Sequence, residues 1–100
     1  LPLVSTEDLA RELVRRADAA LEGLQAHTMR AVLVRDVAVV TDAYTLAVTV
    51  ANQIQSLAYA AHSLDAAIGS PAMTLSMVAG ALQTTLRTHH YELRRKERRS

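Results

Sequence analysis

Residues 42 to 68, DAYTLAVTVANQIQSLAYAAHSLDAAI, decide how the chain folds. Leu46, Val50, Ile54, Leu57, Ala61, Leu64 and Ile68 recur at steps of three and four, which places them on one side of a helix with about 3.6 residues per turn. The spacing predicts that this side is core. Thr45, Thr49, Asn52, Ser56 and Ser63 recur at similar steps on another side. They are polar but small and uncharged, whereas a face turned to bulk water normally carries Lys, Glu and Arg, so this face is expected to be half covered.

The same poverty of charge extends beyond the helix. Between Arg35 and Arg87 there is no Lys, Arg or Glu, and the only formal charges are Asp36, Asp42 and Asp65, in a chain that is 21% charged overall. Ionic side chains are depleted from protein contact surfaces because burying them unpaired is costly, so protein rather than solvent is expected against this half of the chain. A membrane span is the competing explanation. Asn52, Gln53 and Gln55 stand in the middle of the best window, 43 to 61, and weigh against it.

One hundred residues make one small domain with little stability margin. The core material is thin: no Phe, Trp or Cys, three Tyr and 18 Ala. Alanine buries little area but lets helix axes approach closely, and a small chain short of large side chains is expected to recruit a partner surface. The lack of cysteine excludes a disulfide framework, a thiol nucleophile and a Cys-based zinc site. With neither a basic n-region nor a long apolar stretch at the N-terminus, the chain reads as a cytoplasmic protein or an excised domain.

In chain order, residues 1 to 5 read as an extended lead-in, Ser5 as an N-cap, and Leu9, Leu13, Ala17, Ala20 and Leu24 as the buried stripe of a first helix ending near residue 26. Glu7 with Arg11 and Glu12 with Arg16 are i, i+4 pairs on its wet side. Thr28 is a possible new cap. The segment 29 to 40 is rich in Val and suits helix or strand. Helix is favoured because Met29, Leu33, Val37, Val40 and Tyr44 keep a three-to-four step and no Gly or Pro interrupts it; Thr41-Asp42 then caps a fresh helix or marks an irregularity in a longer one. Ile68-Gly69-Ser70-Pro71 reads as a tight turn, with Gly69 closing one helix, Ser70 capping the next and Pro71 at its first position. Leu75, Ala79, Leu82, Leu86, His89 and Leu93 then form a heptad-like seam on a last helix, and Arg94 to Ser100 are expected to fray as a basic tail.

The fold class expected is therefore all-α: a three- or four-helix antiparallel bundle over residues 6 to 93, with a long central helix, assembled as a helical homodimer. Candidate interface residues are Thr45, Thr49, Asn52 and Ser56 on the central helix and Leu75, Ala79, Leu82, Leu86 and His89 on the last. Residues 1 to 86 carry net −3 and residues 87 to 100 net +4. Arg94, Arg95, Lys96, Arg98 and Arg99 are accordingly candidate phosphate contacts.

Catalytic signals are lacking: no G-x-S-x-G, P-loop or dinucleotide loop is present, and His27, His62, His89 and His90 show no H-x-x-x-H or E-x-x-H spacing for a metal. The W-x-G turn of type VII secretion hairpins and the Arg-x4-6-His motif of HEPN ribonucleases are also missing. No enzyme, cofactor or metal is expected. The function expected is a dimerising adaptor, scaffold or small regulator that binds a second copy or a partner helix. A nucleic-acid-associated regulator gripping phosphates through its basic end is the first alternative, and a membrane-associated amphipathic helix the second.

Overall fold

A computed structural model describes residues 4–99 and holds three α-helices among them: α1 (Thr6–Ala31), α2 (Val37–Leu64) and α3 (Ala66–Arg99). No strand occurs among these residues, so the valines of 32 to 40 do not form one. The helices run antiparallel in succession, each packs on both others, and the particle is long and thin at 65 × 21 × 15 Å. Residues 1 to 3 of the expected lead-in, and Ser100, lie outside the described residues.

The first helix begins where its cap requires. The Ser5 hydroxyl accepts from the Asp8 N–H at 3.0 Å, and acidic Glu7 and Asp8 sit where the helix dipole favours them. It does not stop at residue 26. Gly23 is tolerated inside it, and Thr28, expected as a cap, is buried with its hydroxyl donating to the Leu24 carbonyl at 2.7 Å. The continuous helix through 29 to 44 is also corrected: residues 32–36 form a link, and Asp36 rather than Asp42 caps α2 by accepting from the Val39 N–H at 3.2 Å.

The expected turn at Gly69-Ser70-Pro71 is corrected as well, because the break falls at Asp65. This single extended residue (φ −154°, ψ 108°) separates α2 from α3. Its carboxylate accepts from the Ile68 N–H at 3.1 Å and its carbonyl from the Gly69 N–H at 2.8 Å, so the new helix starts at once. Gly69 is needed for closeness, not for a left-handed turn: no glycine has positive φ, and a Cβ here would collide with the backbone of His62 and lie 2.7 Å from the Ala61 carbonyl carbon. Pro71 sits inside α3, exposed to solvent.

The core inverts the usual size order. Ten of its sixteen buried apolar residues are alanines, while Met29, Leu33, Val39, Leu46 and Met77 are among the exposed large ones. On α2 the buried stripe is Val40, Ala43, Ala47, Ala51, Ile54, Ala58 and Ala61, rotated about 60° from the stripe read in the sequence at 100° per residue. The physical reason is that α2 packs against both neighbours, and along most of its covered stripe, Val40 and Ile54 apart, the close approach leaves room only for alanine. Leu46, expected in the core, is 50% exposed, and Leu64 is exposed too. On α1, Leu9 is likewise exposed, with Ala10 and Leu21 buried instead.

Candidate interaction surface

Val39 and Leu46, with half-buried Val50 and Leu57, line one continuous surface. At the end near the 32–36 link, His27, Arg30, Val34, Val39, Asp42 and Leu46 border a groove of about 340 Å³ between α1 and α2. Next to it, Gly23, His27, Arg30, Leu46, Val50 and Gln53 border a second of about 340 Å³. Gln53 leads on to a third of about 560 Å³, lined by Thr49, Asn52, Gln53, Ser56 and Leu57. The shared residues make these one trough along the outer side of α2, from Val39 to Leu57, roughly 27 Å at 1.5 Å per residue.

The exposed threonines of α2 are less hydrophilic than their composition suggests. Thr41, Thr45 and Thr49 donate their hydroxyl hydrogens to the carbonyls of Val37, Thr41 and Thr45, at 2.8, 3.0 and 3.2 Å. A hydroxyl that has already spent its hydrogen on the helix leaves its methyl group as the surface offered to a neighbour. Thr45, Thr49, Asn52 and Ser56 are all exposed within the chain. Three of them, Thr49, Asn52 and Ser56, share one groove, whereas Thr45 does not line it.

The residues singled out on α3 are placed differently. Ala79 and Leu86 are buried in the chain's own core, and Leu75, Leu82 and His89 are half-buried against it. That seam is therefore used within the bundle. His89 Nε2 donates to the Val34 carbonyl at 2.7 Å, holding the 32–36 link against α3.

Two further histidines act likewise. His27 Nε2 donates to the Ala43 carbonyl at 3.0 Å, joining α1 to α2. His90 Nε2 and Thr41 Oγ1 lie 2.8 Å apart; because the Thr41 hydroxyl hydrogen is committed to Val37, the imidazole is the donor, joining α3 to α2. No periodicity signals the His27 role, since its partner is a backbone carbonyl sixteen residues away.

The charged face lies on α1. Glu12 accepts from Arg15 at 2.6 and 2.9 Å and from Arg16 at 3.1 Å, a wider arrangement than the Glu12–Arg16 pair read in the sequence, and Arg11 pairs with Glu7. The hydrogen bond from Arg15, with Arg16 second, holds the Glu12 carboxyl at about 2, well below its ordinary 4.5. No group of three His, Asp or Glu among the described residues is placed to hold a metal. By length and composition alone, α2 is apolar enough to cross a membrane.

No protein-family model, no curated protein and no solved structure matches this chain.

Proposed function

We propose that the chain is a non-catalytic interaction module that pairs with a second copy of itself through the trough along α2. The observation that carries this reading is the inverted size order: alanines fill the interior while Val39, Leu46 and half-buried Val50 and Leu57 face outward on a helix whose outer side has Asp42 as its one formal charge before Asp65. Large apolar side chains left on a neutral strip gain free energy when another surface removes them from water, at about 25 cal/mol per Å². A twofold-related copy is the occupant best suited to it, because a neutral strip does not repel its own image. Arg30 and Asp42, on the two walls at one end, also allow opposite charges to meet across a twofold axis.

Sedimentation velocity over a range of concentrations tests the proposal. A dimer is expected at micromolar concentration, and Leu46→Arg is expected to give a folded monomer with unchanged helix content. A monomer at about 100 µM, a concentration at which even a weak specific pair of roughly −6 kcal/mol would form, overturns it.

A further inference from the structure

The basic end of α3 is a shaped surface, not a frayed tail. Leu93 is the last buried residue, yet the helix continues to Arg99, so its last turns project past the bundle with every side chain exposed. Arg87, Arg94, Arg95 and Arg98 surround Tyr91 in a cleft of about 300 Å³. At 100° and 1.5 Å per residue, Arg87, Arg94 and Arg98 fall within about 40° of one another and span about 16 Å along the axis. One wall of the cleft is His90, which its bond to Thr41 fixes to α2.

We propose that this cleft binds the phosphate backbone of duplex DNA, with the projecting end of α3 lying in the major groove. Guanidinium groups grip phosphate oxygens with two parallel N–H donors, and three of them stand on one face here with Arg95 at its edge. A helix about 10–12 Å across fits a major groove about 12 Å wide. By helical spacing Lys96 lies opposite the cleft and Arg99 beside Arg95, and cations on several sides of one projecting helix suit a ligand that flanks it with two phosphate strands. One tyrosine provides no series of stacking platforms for a single strand, and the deep, narrow groove of duplex RNA does not admit a helix. Residues 94–99 include no apolar side chain to enter a bilayer.

Fluorescence anisotropy of a labelled random-sequence DNA duplex, titrated with the full chain, tests this. With about four phosphates neutralised, affinity is expected to fall roughly a hundredfold between about 50 and 200 mM salt. The triple variant R87Q/R94Q/R98Q should bind at least about tenfold more weakly at the lower salt and lose about three quarters of the salt slope. A control, R11Q/R15Q/R16Q, removes equal charge at the far end and should bind within about twofold of the parent. Circular dichroism should report all three as equally helical. No binding at about 100 µM protein, equal loss in both triple variants, or equal or tighter binding to polyglutamate or to phosphatidylserine vesicles would each overturn the assignment.

Discussion

His89 on α3 donates from Nε2 to the carbonyl of Val34, 2.7 Å away in the link between α1 and α2. The bond spans 55 positions of sequence and ties down the longer of the two connections, whose residues 32–36 include neither Gly nor Pro to shape it. His89→Ala leaves that half-buried carbonyl without its partner. The expected cost is about 1–2 kcal/mol, seen as a melting temperature lower by roughly 5–10 °C for a domain of this size. An unchanged melting curve would show that the link holds itself.

Glycine substitutions should divide by sign. Gly69→Ala drives a Cβ into the backbone of His62, which has no side-chain freedom with which to yield, and should cost at least about 2 kcal/mol. Gly80→Ala meets nothing within 4 Å inside a helix and should stabilise by about 0.5–1 kcal/mol. Urea titration of both variants checks the pair, and equal effects would contradict the close crossing at Asp65.

Neighbouring residues Leu46 and Ala47 should respond against the usual expectation. Ala47 is completely buried where the three helices converge, so Ala47→Leu overpacks the site and should cost about 1–3 kcal/mol. Leu46 is half exposed, so Leu46→Ala should cost less than about 1 kcal/mol at low protein concentration. Chemical denaturation at low protein concentration distinguishes the two. A larger loss at Leu46 would mean that the interior had been placed on the wrong side of α2.

Acid stability offers a fourth check. The Glu12 carboxyl titrates near 2 in the fold, below its ordinary 4.5, because Arg15 and then Arg16 donate to its charged form. A depressed carboxyl contributes stability that is present above its unfolded value and is lost as pH falls toward the folded one. The stability difference between the parent and Glu12→Gln should thus be constant above about pH 5.5 and shrink between about 4.5 and 2. Since these side chains are exposed, added salt should reduce the difference at every pH.

The fold was legible where a local rule acts alone. Ser5 caps α1 as its side chain dictates, three helices form where apolar spacing calls for them, and Ala79, Leu86 and Leu93 lie in the buried seam of α3. Boundaries failed where competing signals were read by strength. Gly69-Ser70-Pro71 looks like punctuation, but Gly69 is there for its missing Cβ, and Asp65 alone makes the break. The face of α2 failed for a deeper reason: periodicity finds where large apolar residues line up, and only packing decides whether a close crossing puts alanines inside instead. The same error hid the apolar part of the trough, since the spacing assigns Leu46, Val50 and Leu57 to the interior, whereas Thr49, Asn52 and Ser56 on its walls are read from the sequence as contact surface. The arginine cleft was partly visible as a run of charge, but Arg87 joins it only because α3 stays helical through the whole segment.

The one-residue link at Asp65 bears on the order of folding events. Bringing α2 and α3 together closes almost no loop, so their pairing forfeits little chain entropy and involves mainly contacts near in sequence, the kind that form in microseconds to milliseconds. Docking α1 closes the longer 32–36 connection, with His89 holding the link and His27 joining α1 to α2. In pulse-labelling hydrogen exchange, amide protection is therefore expected first around the Asp65 corner and last in the outer turns of α1.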